Sequence, residues 1–454
     1  MAQRQFQSGD SSNWAERFGD GSDGVLTISS DQTFNATNAS CSGSNGSSTL
    51  TVASTTGFAE DNLILIYQTR GTNAGAWELN KVSSVGAGIL NLSYHLLGTY
   101  TDSGDSQAQV ILLKQYSGVT VNSGVTWSAP LWDGNIGGVI AFLCNGTTTI
   151  SGTFSVASKG YNRNGQYVSN GAGNQGEGTN GIGSQQQVAN GNGGGGGEFY
   201  AVGSNPGGGG GGNLEPGTDG VDGDGGKLGG AGGNSSGETS LATMTFGGEG
   251  GAGGSKSTGN GSGGEGGGIV LIISKTITVS GSITANAHNG YSGTDSDAGG
   301  GGGGAGGSIL LKGQTVTLGT NLVTANAGTG GSGAGGGRNG GAGAVGRIHI
   351  DYSDSVTGTT SPTLDSSLEN ILSDTATTTS TTTTSTSTSS STTTTSTSTT
   401  LSSTSTTTTS TSTSVTTTST STTTTSTSTT TTSTSTTTTS TSVPREFSVD
   451  NPAA

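Results

Sequence analysis

The sequence predicts an all-β protein: a right-handed parallel β-solenoid with glycine-rich loops, preceded by a small β domain and followed by a Thr/Ser low-complexity tract. Three observations predict it. Gly268-Ile-Val-Leu-Ile, Gly307-Ser-Ile-Leu-Leu and Gly346-Arg-Ile-His-Ile open successive copies of one segment at a constant step of 39 residues, which marks an internal repeat. Inside each copy, short strands such as Thr276-Ile-Thr-Val and Thr315-Val-Thr-Leu alternate with period two and are bounded by Gly, Ser and Thr turns. Glycine-rich excursions follow the third strand of each copy, and 89 of the 454 residues are glycine.

One coil of this kind cannot bury its own apolar face, so the copies are expected to stack. The alternation points Ile277, Val279, Val316 and Leu318 inward and leaves the threonines outside. An earlier relative, Gly138-Val-Ile-Ala-Phe-Leu-Cys, starts the series near residue 137.

In chain order, residues 1–18 form a polar arm. Residues 19–136 carry alternating segments around Val25, Leu50, Ile64, Leu90 and Val110, and read as a β-rich domain that caps the solenoid, with Trp77, Trp127 and Trp132 filling its core. The solenoid is assigned to 137–352, a transition with Leu364, Leu368, Ile371 and Leu372 to 353–373, a Thr/Ser stalk to 374–443 and a tail to 444–454. The stalk repeats Thr-Thr-Thr-Thr-Ser-Thr-Ser with no apolar position. It cannot bury a core and, outside a cell, would be an O-glycosylation stalk.

Composition removes several function classes. Only 27% of residues are apolar, and a formal charge of −15 comes from a chain that is just 9% charged. Scarce Lys and Arg argue against nucleic-acid and anionic-membrane partners. No apolar run reaches membrane-spanning length. The first residues lack the apolar stretch of a secretory signal, so either the true N-terminus was processed or the protein is released by another route, such as lysis of an infected cell. Cys41 and Cys144 share no metal-ligand spacing, and either a disulfide or two buried thiols is open.

Little in the sequence suggests chemistry. His95, His288 and His349 are far apart, and the alternation Ile348-His349-Ile350 points His349 out of the strand. Asp219, Asp222 and Asp224 lack the closing carboxylate of a calcium loop and read as solvated loop residues. No phosphate-loop ending follows the glycine runs. No cofactor or metal is expected, and no catalytic residue is assigned. Thr-x-Thr pairs at Thr147/Thr149, Thr276/Thr278 and Thr315/Thr317 would stack, as in ice-binding solenoids, but strand propensity alone accounts for so few of them.

The glycines in 160–267 and 328–346 recur every third residue, for example Gly217, Gly220, Gly223, Gly226, Gly229 and Gly232. That is the period of a polyproline-II-type helix. Such helices persist only when neighbours satisfy their backbone groups, and flexible tethers are the other possibility. Aromatics embedded in these loops, Tyr161, Tyr167, Phe199, Tyr200, Phe246 and Tyr291, are the candidate receptor-binding residues, because a large ring on a rigid frame gains contact area at low entropic cost.

The coils with glycine-rich corners resemble the glycine-rich solenoid proteins of bacterial surfaces and phage appendages. The three-residue glycine registers also resemble the tail-fibre tip adhesins of T-even-like phages, in which polyglycine-II helices support variable receptor-contacting loops. The resemblance covers roughly residues 137–350 and transfers no individual contact residue. It implies a non-enzymatic extracellular adhesin or fibre protein on a cell surface or virion, with a cell-surface receptor or polysaccharide as partner. A self-assembling subunit of an extracellular filament or sheath is the alternative, and an appendage polysaccharide depolymerase is a third.

Overall fold

The structure, a computed structural model, describes residues 18–162, 171–256 and 259–368. The described residues are almost wholly strand and extended chain, apart from a 3-10 turn at Asp224–Gly226. The N-terminal arm except Phe18, and the Thr/Ser tract and tail, lie outside them.

One large parallel sheet folds into three ribbons. Ile269 pairs with Ser308 and Ser308 with Arg347, so the 39-residue echo is the rung-to-rung register. Inward residues of successive rungs stack into columns: Ile28, Val121, Ile150 and Val279 form one, and Ile140, Val270, Ile309 and Ile348 another. All of them lie in a single buried core together with Trp127, Phe142 and Phe154. Ile277, Val279, Val316 and Leu318 point inward as the alternation requires.

The stack starts earlier and ends later than the repeat suggests. Val25–Ile28 pairs in parallel with Gly118–Val121, which pairs with Val139–Ile150. Gln32–Thr33 pairs with Thr126–Ser128 in the third ribbon. Two further rungs therefore lie within 19–136. They are hard to see because a separate module interrupts the first. At the other end the strand Arg347–Ser361 completes a rung and Asp365–Leu368 adds a parallel strand to it.

The interrupting module is a closed antiparallel barrel of six strands, ordered Asn38–Ser42, Thr49–Val52, Ile89–Leu92, Trp77–Gly86, Leu63–Arg70, Gln107–Leu112. Its core is aliphatic, built on Leu50, Ile64, Ile66, Val82, Leu90 and Val110. The tryptophans are elsewhere: Trp127 fills the solenoid, while Trp77 and Trp132 sit in the junction between barrel and solenoid. The barrel does not cap an end. Its strands turn Leu65, Tyr67 and Leu79 onto the outer face of the first ribbon, against Ala141, Leu143 and Leu271, which explains why these rungs are apolar on both faces.

Cys41 is buried in the barrel core and Cys144 in the solenoid core, and both are free thiols. Burial raises the Cys41 thiol well above its ordinary value. His349 does leave the strand on the side opposite Ile348 and Ile350, yet it is 1% exposed rather than solvated. Its Nδ1 meets Asp365 Oδ2 at 2.8 Å and its Nε2 meets Asp351 Oδ1 at 2.9 Å. Lys312 pairs with the same Asp351.

This charge cluster sets a pH window. Burial works against the imidazolium, but the hydrogen bonds and charges of Asp351 and Asp365 outweigh it and raise the His349 pKa. Burial likewise works against the Asp351 carboxylate, and His349 and Lys312 overcome it and lower that pKa. The His349 contribution is complete below the unfolded histidine value of about 6.5 and is lost as pH rises through the raised one. The Asp351 contribution is complete above about 3.9 and is lost as pH falls through the lowered one. The denaturation midpoint is therefore expected to plateau between these values and to fall on the alkaline side. His349→Gln should remove that alkaline fall, and an unchanged profile would show that the cluster does not titrate as described.

Candidate receptor-binding tip

The glycine excursions leave the third ribbon and return to the first, and between these points they pack on one another. The chain at Gly207–Gly212 shows how. Gly207 and Gly210 donate to Val221 and Thr218, Gly208 and Gly211 to Gly300 and Gly303, and Gly209 and Gly212 to Gly195 and Asn192, at 2.7–3.0 Å. Its carbonyls accept from Gly230 and Gly233, from Gly341 and Ala344, and from Gly251 and Gly248. Six neighbouring segments thus surround it, each met at every third residue. Residues 299–304 are enclosed in the same way.

This geometry dictates the sequence. A threefold chain has three faces, and where all three are covered no side chain fits. A Cβ on Gly207, Gly208, Gly209, Gly210, Gly211 or Gly212 would collide with the carbonyl of Asn339, Gly251, Ala231, Ala342, Gly248 or Asn234 respectively. Peripheral segments need glycine on the covered faces alone, and so keep one or two residues in three free for side chains. Those side chains cap outward N–H groups: Asp219 accepts from Gly232 at 2.7 Å, Asp222 from Gly229 at 2.8 Å and Asn289 from Thr329 at 2.8 Å. Asp219 and Asp222 are thus structural acceptors rather than merely solvated loop residues.

The segments run up and down, and their turns meet at one end. Asn205 is the hub there: fully buried, it donates from both its backbone N–H and its amide to the Asp297 carbonyl, at 2.9 and 3.0 Å. Its carbonyl accepts from Arg338, and its Oδ1 accepts from the N–H of Tyr200 at 2.7 Å. Arg338 pairs with Asp224 at 2.7 Å and Lys256 with Asp297 at 2.8 Å. Hydrogen bonds from Ser204 and from Arg338 hold the Asp224 carboxyl below the usual carboxylate range. Residues 198–205, 223–228, 295–297 and 333–338 are locked into one surface.

That surface carries half-buried Phe199 and Tyr200, with Val202 78% and Leu228 56% exposed. The Tyr200 ring lies over Gly203 and Gly225, where a Cβ would come within 2.7 and 2.8 Å of it. Apolar groups rimmed by Asp224, Arg338, Glu198 and Lys227 are what a contact surface presents.

The candidate aromatics therefore separate. Phe199 and Tyr200 are at the tip. Tyr291 lies on the flank, 41% exposed and stacked on His288 at 4.8 Å. Tyr161 and Phe246 are fully buried in the junction, 5.3 Å apart edge to face, with the Tyr161 hydroxyl donating to the Thr69 carbonyl. They anchor the first excursion to the barrel and have no surface for a receptor. Tyr167 lies outside the described residues.

A second polar cluster, unmarked by any motif, lies at the root of the bundle. Arg70 of the barrel is 4% exposed and forms an ion pair with Glu177, which is 1% exposed. Glu177 also accepts from Trp132 Nε1 at 3.0 and 3.1 Å and from the Asn162 N–H at 3.0 Å. A cavity of about 290 Å³ opens beside it, lined by Asp133, Asn135, Asn162 and Ile182. Through these contacts Glu177 ties barrel, solenoid and bundle together.

No protein-family model matches the chain, and no curated protein matches it. Among solved structures it is similar to the Gp54 tailspike of Acinetobacter baumannii bacteriophage AP22, in complex with an A. baumannii capsular saccharide. It is a distant likeness. The two share 10% identity over 76% of this chain and 61% of the tailspike chain, less than two thirds of that protein's length, with a TM-score of 0.19.

Proposed function

We propose that the chain is a non-enzymatic extracellular adhesin, in which a right-handed β-solenoid supports a polyglycine-II-like bundle whose tip contacts a cell-surface receptor or glycan. The observation that carries this reading is the convergence of otherwise separate turns on the buried Asn205. Ordering glycine is entropically expensive. A bundle saturated with backbone hydrogen bonds makes sense as a stiff mount for the few side chains at its end. Aromatic rings with charged neighbours suit a sugar, whose apolar face stacks while its hydroxyls bond to carboxylates and guanidinium. Both carboxylate oxygens of Glu177 are engaged by Arg70, Trp132 and Asn162, which supports a binding role over a depolymerase.

The test is a glycan array and a whole-cell binding assay with the full chain. Tyr200→Ala combined with Val202→Asp is expected to abolish binding while leaving the unfolding midpoint unchanged. Absence of binding by the unaltered chain, or binding indifferent to the tip variant, would remove the proposal.

A further inference from the structure

We infer that the outer face of the second ribbon is an ice-binding surface. The register places Thr27, Thr120, Thr149, Thr278, Thr317 and Thr357 side by side on six consecutive rungs. Two residues earlier on the same strands, Thr147, Thr276, Thr315 and Ser355 form a second column, continued by Gly118 and Val25. No charged side chain interrupts either column, and their members are exposed or half-exposed along the whole ladder. The inward residues between and beside them, Ile277 and Val316 between the columns and Val279 and Leu318 next to them, are fixed in the core.

The face matches a lattice. Adjacent rungs lie about 4.8 Å apart and alternate residues of a strand about 6.6 Å apart. Threonine is stiff at χ1, so each hydroxyl and methyl is held at its lattice point with little entropy left to lose on contact. The result is a rectangular array of oxygen atoms whose two spacings come close to those of the oxygen rows on a prism face of ice. Each contact is weak, but contacts made together on one rigid body add as multivalent ones do. A growing crystal presents the same row many times, whereas a dissolved ligand would find no groove, ring or charge on this face. Propensity alone would place threonines on outer strands, but it does not explain an unbroken column that crosses the barrel insertion between Thr27 and Thr120.

Thermal hysteresis, ice-crystal shape and recrystallisation inhibition of the full chain test the inference. The unaltered protein is expected to shape ice and suppress recrystallisation. Thr149→Lys and Thr278→Lys, at the centre of the ladder, should reduce both to the level of a non-binding control protein. Ser282→Lys, on the neighbouring ribbon, should retain them. Unfolding midpoints equal to that of the parent establish that the variants are folded. An unaltered chain that leaves ice growth unchanged overturns the inference, as does equal loss in all three variants. Adsorption to crystalline cellulose or chitin lost in Thr278→Lys, without ice shaping, would assign the face to a polysaccharide lattice and also overturn it. Tip variants at Tyr200 and Val202 are expected to leave ice activity intact, so failure of the adhesin reading and failure of this one are distinguishable.

Discussion

Glu177→Ala is expected to destabilise the protein by about 3–5 kcal/mol, because it strands the buried Arg70 guanidinium without its partner. Arg70 has few alternatives. Its Nε donates to the Asp105 carbonyl at 3.0 Å, and its guanidinium carbon lies 5.9 Å from the Trp132 ring centre. The Trp132 indole N–H loses its acceptor in the same substitution, so its fluorescence reports the event directly. Denaturant titration followed by that fluorescence should show a lower midpoint. The double variant Arg70→Met/Glu177→Met should recover much of the loss, since it removes both charges together. If Glu177→Ala unfolded at the parent midpoint, the ion pair would not be what joins the three parts.

Gly209→Ala is expected to cost about 3 kcal/mol, at the upper end of what an added methyl costs in a packed interior. Its Cβ would meet the Ala231 carbonyl, and relief requires opening a backbone hydrogen bond to a neighbouring segment. The comparison that isolates the cause is Val221→Ala, on the outward face of a peripheral segment, where a change within about 0.5 kcal/mol is expected. Amide hydrogen exchange is a second readout. Gly209→Ala should speed exchange at Gly195, Gly208 and Gly251 together, because their segments share the packing. Equal effects at positions 209 and 221 would mean that the bundle is loosely packed.

The architecture was legible where the chain repeats itself. Ile277, Val279, Val316 and Leu318 alternate cleanly and the 39-residue step survives as register. It was hidden where a rung is interrupted: Val25–Ile28 and Gly118–Val121 lie next to each other in the sheet, with a barrel folded from the residues between them. Alternation by itself cannot say which strand partners which. The core of the bundle did have a sequence signal that the period of three concealed. Runs of consecutive glycine at 193–197, 207–212 and 299–304 mark segments crowded on every face, while one glycine in three marks a segment with an open face. Tip and junction aromatics were inseparable in sequence. Phe246 and Phe199 both follow or precede glycine runs, and only the fold assigns one to the junction at the bundle's root and the other to its far end. His349 and Asp365 lie on different strands, so their contact required the parallel pairing of Asp365–Leu368 with the last rung.

The threefold spacing of contacts between antiparallel glycine arms also constrains how such a chain can change length. Adding one residue to an arm would rotate every later position by a third of a turn and drive side chains into neighbouring carbonyls. Adding three to each of two partnered arms preserves all faces and moves the turn outward by one repeat. Natural variants of this chain are therefore expected to gain or lose reach in paired triplets, with free variation confined to the turns themselves.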